Sequence, residues 1–271
     1  MPRQRCSNME EKLISLPQGY DLAAYDEIDS TNEEGRRRGD VALAAGNSVN
    51  STWIIAERQS AGRGRQGRKW EDATGNLLCT LLIDPACGPA KASELSFVTG
   101  LAVADAVDDL LGDPAAELKW PNDVLLEGAK VSGILLESAA GSDGALGWLA
   151  IGIGLNLKWF PGDTPYPATS LKAHGANIAL EQGLTAVAAA MEARLQMWRR
   201  EGFAAIRQAW LGRAKNLGGQ ITARLPGETV EGQFAGMDEN GALLLKLGAT
   251  GEIRAITAGD VFFGAMKDED V

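Results

Sequence analysis

The residues best suited to chemistry lie in one basic, glycine-rich stretch at 61–70, with the sequence AGRGRQGRKW. Glycine lets a backbone fold closely around a ligand because it has no Cβ. Arginine presents a planar fork of donors that matches a carboxylate or a phosphate. Like charges this close together repel one another unless an anion lies among them. The stretch is therefore predicted to bind an anion.

Two known phosphate-binding patterns overlap this stretch, and neither fits it. Its glycines match the dinucleotide pattern G-x-G-x-x-G, but that pattern must open an apolar helix. The residues at 69–75 are KWEDATG, which do not form such a helix. The pattern G-x-x-x-x-G-K-[ST] begins at Gly62, yet Arg68 and Lys69 stand where Lys and Ser or Thr are required. The simplest alternative is a solvated basic loop without a ligand.

The composition indicates an acidic globular chain in which the basic stretch is a local exception. The 271 residues carry a formal net charge of -10 and are 45% hydrophobic. This length is ample for one sizeable core and a small second domain. Because an acidic protein attracts polyanions such as nucleic acid poorly, the anion is predicted to be small.

Cysteine and histidine usage narrows the chemistry further. The three cysteines show no metal-ligand spacing, and their odd number favours a reducing, cytoplasmic location. The single histidine, His174, lies in a polar, turn-like segment, so it is predicted to be a surface residue and not part of a Ser-His-Asp triad. No signal peptide or membrane-spanning run is expected. The chemistry must therefore rest on Lys, Arg, Asp, Asn and backbone groups.

Strands and helices are predicted around these polar residues. Apolar runs predict strands at 52–57, 76–83, 117–120, 124–126, 130–137 and 146–157. Helical periodicity predicts helices at 93–111, with Ser93 as the cap, and at 185–200 and 203–211. A further helix is expected to begin at Ser30 or Thr31, and simple capping is the alternative role for these residues. Gly152 and Gly154 lie two positions apart in one strand, so they face the same side of it. This smooth surface would allow close approach of a flat ligand or another backbone, or tight packing within the sheet.

A break in composition at 215–219 divides the chain. Beyond it, hairpin signals at Pro226-Gly227, Asn240-Gly241 and Thr250-Gly251 separate short β-type segments, which predicts a small barrel. We expect an N-terminal tail at 1–18, a catalytic domain at 19–215 and a C-terminal β domain at 216–266.

Four separated stretches carry polar residues beside predicted strand ends: 61–70, 119–123 (KWPND), 130–135 (KVSGIL) and 152–156 (GIGLN). Each has an ordinary explanation when taken alone, such as a lysine flanking a strand at Lys130 or an Asn-Asp turn at 122–123. Their order and spacing, together with Ser30-Thr31-Asn32 and Gln59, resemble the biotin protein ligases, which biotinylate biotin-dependent carboxylases. The resemblance covers about residues 20–263.

The resemblance implies a fold and a reaction. The fold is α+β, a mixed β-sheet flanked by helices and related to class II aminoacyl-tRNA synthetases and lipoate ligases, followed by a small SH3-like β-barrel. The substrates are ATP and biotin, used with Mg²⁺ to form biotinyl-5'-AMP, and the partner is a biotin carboxyl carrier protein. The implied assembly is compatible with a homodimer. Because only 29 residues precede Ser30, no winged-helix domain, DNA binding or repressor function is expected.

The resemblance also implies roles for individual residues. Those expected to bind biotin are Ser30, Thr31, Asn32, Gln59, Arg63, Gly64, Arg65, Lys130 and Gly133. Those expected to bind the nucleotide are Arg65, Arg68, Trp70, Lys119, Asn122 and Asn156. Catalytic roles are expected of Lys130, Arg65 and Asp123. Lys130 would hold the biotin carboxylate against the α-phosphate, and Asp123 would face the acceptor lysine. No metal ligand is implied.

Two other functions share part of this pattern. A lipoate or octanoate transferase has the same fold and also modifies a carrier lysine, but the paired arginines and the terminal barrel favour biotin. A non-catalytic biotin-binding regulator is the second alternative. The complete set of Lys130, Arg63, Arg65 and Asp123 argues against it.

Overall fold

The structure is a computed structural model that describes residues 13–71, 74–141, 144–162, 164, 166–248 and 250–263. Within these residues, no helix is both long and apolar enough to span a bilayer.

A seven-stranded mixed sheet forms the centre of the larger domain. Its strands are β1 Asp21–Ile28, β2 Thr52–Gln59, β3 Leu77–Ile83, β4 Ala116–Lys119, β5 Asp123–Leu126, β6 Ala129–Ala140 and β7 Leu146–Leu155. They lie in the order β1-β2-β3-β7-β6-β5-β4. The β1–β2 pair is parallel, and the other neighbouring pairs are antiparallel. The predicted mixed sheet is confirmed.

Helices cover both faces of this sheet. They are α1 Thr31–Ala44, α2 Pro89–Ser93, α3 Leu95–Leu111, α4 Leu180–Glu201 and α5 Phe203–Leu211. Successive residues of a strand point to opposite faces. Trp53 and Ile55 accordingly join the large core with α3, α4 and α5, whereas Ile54 and Ala56 join a smaller core on the α1 face. Burial on both faces explains why β2 reads as a continuous apolar run.

Three local predictions differ from the structure. The helix expected at 93–111 is two helices, and Ser93 does not cap the second. Its hydroxyl donates to the carbonyl of Ala90 within α2 at 2.7 Å, and Glu94 stands at the N-cap of α3. The helix α4 begins at Leu180 instead of 185, where the backbone N–H of Ala179 donates to the Gln182 side chain at 3.0 Å. Strand β1 was not predicted.

The C-terminal residues form a five-stranded antiparallel sheet, as expected for a small SH3-like domain. Its strands are β8 Gln220–Leu225, β9 Glu228–Met237, β10 Leu243–Lys246, β11 Ile253–Ile256 and β12 Asp260–Phe263, in the order β11-β10-β9-β8-β12. The segment between α5 and this sheet pairs with edge strand β4. The backbone N–H of Leu118 donates to the carbonyl of Arg213, and that of Lys215 donates to the carbonyl of Leu118, both at 2.8 Å.

The packing of α1 on β7 depends on a glycine. A Cβ at Gly39 would lie 2.4 Å from Cγ of buried Trp148, whose indole N–H is fixed by Asp40 at 3.0 Å. Because the ring has no room to withdraw, we expect Gly39→Ala to lower the free energy of unfolding by about 1–3 kcal/mol, measured by denaturant titration. Gly248→Ala is the control, since its Cβ would meet nothing within 4 Å. Equal stability of the two variants would contradict the prediction.

Candidate active site

One cavity of about 400 Å³ lies at the N-terminal end of α1, against β3, β7 and β6. Every residue for which a site role was predicted lines it: Ser30, Thr31, Asn32, Gln59, Arg63, Gly64, Arg65, Arg68, Trp70, Lys119, Asn122, Asp123, Lys130, Gly133 and Asn156. The fold therefore brings together motifs that are widely separated in the sequence.

The basic stretch at 61–70, here called the basic hairpin, has a defined backbone. The N–H of Gly64 donates to the carbonyl of Arg68 at 2.7 Å, and the N–H of Trp70 donates to the carbonyl of Gly62 at 3.1 Å. Gln66, at the tip, has a φ of 56°, in the left-handed region. These hydrogen bonds hold the arginines on a hairpin that covers the cavity.

Two arginines of the basic hairpin pair with carboxylates of the chain itself. Arg63 Nη2 lies 2.9 Å from Glu137 Oε2 and 3.2 Å from Glu33 Oε2. Arg68 Nη2 lies 3.0 Å from Asp260 Oδ1. The expected repulsion among the basic residues is thus relieved by internal carboxylates from α1, β6 and β12. An external anion is not required to hold this arrangement.

Three glycines of β6 and β7 make room for side chains of the site. A Cβ at Gly154 would lie 2.4 Å from Cε2 of Trp70, and a Cβ at Gly133 would lie 2.9 Å from Cζ3 of the same ring. A Cβ at Gly152 would lie 2.3 Å from Oδ1 of Asn32. The alternation of glycines in β7 therefore serves tight packing, in which the side chains packed on the strand belong to the site.

Two polar atoms in the cavity wall are buried without a hydrogen-bond partner among the described residues. They are the indole Nε1 of Trp70 and the phenolic oxygen of Tyr166. An unsatisfied buried donor is costly. Neither atom has a partner among the described residues that would offset this cost.

The first turn of α1 supplies a polar wall. The N–H of Thr31 donates to Gln59 Oε1 at 2.7 Å. Thr80 Oγ1 lies 2.8 Å from Thr31 Oγ1 and 2.6 Å from Asn32 Oδ1. Ser30 is the N-cap residue of α1, but its side chain makes no capping hydrogen bond. Simple capping therefore does not explain this serine, which lines the cavity.

Lys130 and Lys119 share the carboxylate of Asp123. Lys130 Nζ lies 2.6 Å from Oδ1, and Lys119 Nζ lies 3.5 Å from Oδ2. Burial opposes ionisation of Asp123, but the two ammonium groups hold its pKa below the usual range. Burial lowers the pKa of Lys119 to about 8, although Asp123 works against that shift. Lys119 Nζ also lies 3.4 Å from the centre of the Tyr166 ring. The predicted role of Asp123 toward an acceptor lysine stays a prediction.

Arg65 approaches the cavity from the basic hairpin. Its Nη1 donates to Asn122 Oδ1 at 3.1 Å, and Asn122 Nδ2 donates to the carbonyl of Ile134 at 2.7 Å. Burial lowers the pKa of Arg65, and the charges of Asp260 and Asp123 oppose that shift. A guanidinium keeps its proton in proteins and has five N–H donors. Arg65 therefore brings a permanent positive charge into a largely desolvated position.

Asn156 is held by its own side-chain amide. Its Nδ2 donates to the carbonyl of Thr169 at 3.0 Å, and Asn76 Nδ2 lies 3.5 Å from its Oδ1. Asn76 also accepts hydrogen bonds from the N–H groups of Lys158 and Trp159 at 3.0 and 3.1 Å. This buried network fixes the turn after β7. The role of Asn156 in recognising adenine stays a prediction.

The C-terminal domain forms part of the cavity wall. Asp260 lines the cavity at the start of β12. Trp120 Nε1 donates to the carbonyl of Gly241 at 3.0 Å. Tyr166 stacks on Phe262 with ring centres 4.8 Å apart. The two domains therefore meet beside the functional residues.

Known proteins are similar to this chain in sequence and in fold. Residues 29–156 match the biotin/lipoate A/B protein ligase family, and residues 217–264 match the biotin protein ligase C-terminal domain. The biotin–[acetyl-CoA-carboxylase] ligase of Paracoccus denitrificans is 44% identical over 248 residues, which cover 87% of this chain and 98% of that protein. The chain belongs to the biotin protein ligase family. It is a ligase.

Two further relatives agree with this assignment. The bifunctional ligase/repressor BirA of Bacillus subtilis is 32% identical over 253 residues, covering 91% of this chain and 75% of BirA. A solved structure of the Aquifex aeolicus biotin protein ligase in complex with biotin and ATP has a TM-score of 0.73 at 28% identity. That alignment covers 89% of this chain and 97% of the Aquifex chain.

Sequence reasoning missed five polar residues that complete the site: Glu33, Thr80, Glu137, Tyr166 and Asp260. Glu137 joins α1 to the basic hairpin, since its Oε2 accepts from Asn32 Nδ2 at 2.8 Å and also pairs with Arg63. Thr80 lies inside the apolar run of β3 and Glu137 follows that of β6, so neither stands in a recognisable motif. A buried threonine in the middle of a leucine-rich strand is the one signal that could have pointed to the site.

The Asn76 network generates a stability prediction. Asn76 is fully buried, so Asn76→Ala leaves the two backbone N–H groups after β7 without their acceptor. We expect the free energy of unfolding to fall by about 1–3 kcal/mol in a denaturant titration. Asn240→Ala, at an exposed turn, is the matched control and should change it by about 0.5 kcal/mol at most. An Asn76 variant as stable as this control would contradict the role of the network.

Proposed function

We propose that the protein is an ATP-dependent biotin protein ligase acting in two steps. The first joins biotin and ATP as biotinyl-5'-AMP with release of pyrophosphate. The second transfers biotin to a specific lysine of a carboxylase's biotin carboxyl carrier domain. The observation that carries the proposal is the convergence of all four motifs on one cavity, where Lys130 and Arg65 stand close to Asp123.

The basic side chains suit the first step, in which two anions must meet. A carboxylate oxygen of biotin forms a bond to the α-phosphorus of ATP, and the bond from that phosphorus to pyrophosphate breaks. Lys130 and Arg65 offset the repulsion and stabilise the charge that develops on the phosphate oxygens. Hydrogen bonds to charged groups contribute roughly 1.5–3 kcal/mol each. The polar wall of Ser30, Thr31 and Asn32 is suited to the ureido group of biotin.

Magnesium fits this site as an ion that enters with ATP. Among the residues that the structure describes, no group of three or more His, Cys, Asp or Glu side chains could hold a metal ion. Mg²⁺ is commonly bound through substrate phosphates and one or two carboxylates. Asp123 and Asn122 have side-chain oxygens in the cavity, but these already contact Lys130, Lys119 and Arg65, so the phosphates of ATP would supply most of the ligands. When bound, the ion would neutralise phosphate charge.

The lysine pair suggests how the second step follows the first. While Lys130 is paired with Asp123, one oxygen of that carboxylate is occupied. Once Lys130 turns toward the substrate, this oxygen can accept a hydrogen bond from the incoming amine. The acceptor Nζ attacks the acyl carbon, AMP leaves with the electrons of the acyl–oxygen bond, and the amine proton passes to Asp123 or to solvent. The basic hairpin and Trp70 exclude water from the anhydride.

A carrier-labelling assay tests the proposed function. The purified protein, ATP and a biotin carboxyl carrier domain should give biotinylated carrier, detected by a mass increase at one lysine. A carrier with that lysine replaced by arginine is the control and should stay unlabelled. Lipoate in place of biotin should give no product. Labelling with lipoate alone, or biotin binding without any transfer, would reject the proposal in favour of a lipoate ligase or a regulator.

The two chemical steps should respond differently to two substitutions. Lys130→Ala removes the charge beside the reacting carboxylate, so biotin-dependent exchange of pyrophosphate into ATP should fall roughly a hundredfold, about 3 kcal/mol in that transition state. Asp123→Asn should retain more of the exchange, while transfer to the carrier slows further. Proportional loss of both activities in both variants would show that Asp123 organises the nucleotide instead of the acceptor.

The pKa of Lys119 predicts how the first step depends on pH. With a pKa of about 8, the side chain carries its proton below that pH and loses it above. Because Lys119 is predicted to bind the nucleotide, loss of its charge should lower kcat/KM for ATP in pyrophosphate exchange as the pH rises through about 8. Lys119→Arg keeps its charge throughout this range, so its profile should be flat there. A decline that persists in Lys119→Arg would assign the titration to another group.

A further inference from the structure

Two carboxylates that line the cavity, Glu71 and Asp260, have no part in the proposed reaction, and Asp260 is the one that pairs with a cation of the site. Asp260 begins β12 in the C-terminal sheet, and its side chain is 18% exposed. It lies 3.0 Å from Arg68, which is 50% exposed on the basic hairpin. Its negative charge also acts on Arg65 and Lys119. A carboxylate among these cations opposes the binding of a triphosphate.

Asp260 is held in place independently of Arg68. Its backbone belongs to the C-terminal sheet, where Asp260 lies opposite Arg224 in the ladder between β12 and β8. Beside it, Phe262 stacks on Tyr166, and Gly241 accepts the hydrogen bond from Trp120. Arg68, by contrast, extends from the basic hairpin, and its Nε donates to the carbonyl of Arg65 in that hairpin at 3.2 Å. If their ion pair breaks, Arg68 is therefore the partner that moves.

Arg68 is exposed enough to exchange partners. A phosphate that enters the cavity offers the guanidinium a charged acceptor, with the same preferred geometry as a carboxylate. The guanidinium of Arg68, whose Nη2 now contacts Asp260, would have to turn toward the phosphate. Binding at this position is therefore a competition between a fixed carboxylate and a mobile anion.

We propose that Asp260 is a positioning residue that holds Arg68 in the free protein and competes with the phosphates of ATP for it. ATP then takes over Arg68 and releases the basic hairpin from the C-terminal domain, so this domain sets the resting position of the hairpin. The identity of the competing anion as ATP rests on the proposed function.

Direct binding of ATP tests the competition. Asp260→Asn removes the negative charge at nearly constant volume, so the Kd for ATP should decrease roughly two- to fivefold, as expected for one partly exposed ion pair. The Kd for biotin should not change. Asp260→Glu, which keeps the charge, should bind ATP less tightly than Asp260→Asn. Glu228→Gln is the matched control, because Glu228 pairs with Arg254 on the same sheet but does not line the cavity.

A double-variant cycle separates this role from a merely structural one. In an Arg68→Gln background the competition no longer exists, so Asp260→Asn should give less gain in ATP affinity than it gives in the wild type.

Trypsin offers a second readout, since it cleaves after the arginines and lysine of the basic hairpin. Without ligand, Asp260→Asn should be cut there faster than the wild type and Glu228→Gln. With ATP and biotin the three should be cut at equal rates.

The outcomes distinguish this inference from the proposed function. Weaker ATP binding by Asp260→Asn would overturn the inference, because the carboxylate would then belong to the nucleotide site. Unchanged ATP affinity, or an equal gain in the Arg68→Gln background, would also overturn it. A wild-type protein that binds ATP but labels no carrier refutes the proposed function alone. A wild-type protein that binds no ATP refutes both.

Discussion

Ion pairs between the basic side chains of the cavity and carboxylates from distant parts of the chain are the interaction on which the site depends. Glu33 comes from α1, Asp123 from β5, Glu137 from β6 and Asp260 from β12. Each pair therefore relieves repulsion and also connects one more element to the cavity. The exposed pairs stabilise weakly. The pairs at Asp123 are less exposed, and loss of this carboxylate would leave two ammonium groups without their partner.

The sheet provides the rigid surface under these charges. Because β6 and β7 present glycines at three positions, the indole of Trp70 and the amide of Asn32 lie directly on the backbone. A larger residue at any of the three would lift those side chains into the volume that a ligand needs. Site residues supported by strands are held more accurately than those on loops. The basic hairpin therefore covers a floor that is fixed by strand packing.

The sequence identifies the catalytic motifs better than the side chains that pair with them in the structure. Long apolar runs in β2, β3, β6 and β7 identify the strands of the sheet, since burial on both faces leaves a strong signal. Strand β1 has three acidic residues among its eight, so its apolar pattern is too weak to predict a strand. Residues close in sequence, such as Lys119 and Asp123, belong to one motif and could be placed together. Asp260 could not, because its position depends on how a separate domain docks, which no local pattern encodes.

The backbone hydrogen bonds between Leu118 and the segment that leaves α5 have a mechanical consequence. That segment adds itself to the edge of the main sheet directly before it enters the C-terminal sheet. Leu118 is the immediate neighbour of Lys119. A tilt of the C-terminal sheet is thus transmitted through two short hydrogen bonds to the strand that carries the buried ammonium group. The two domains are not joined by a free linker, because the segment between them is hydrogen-bonded to the edge of the sheet on which the site is built.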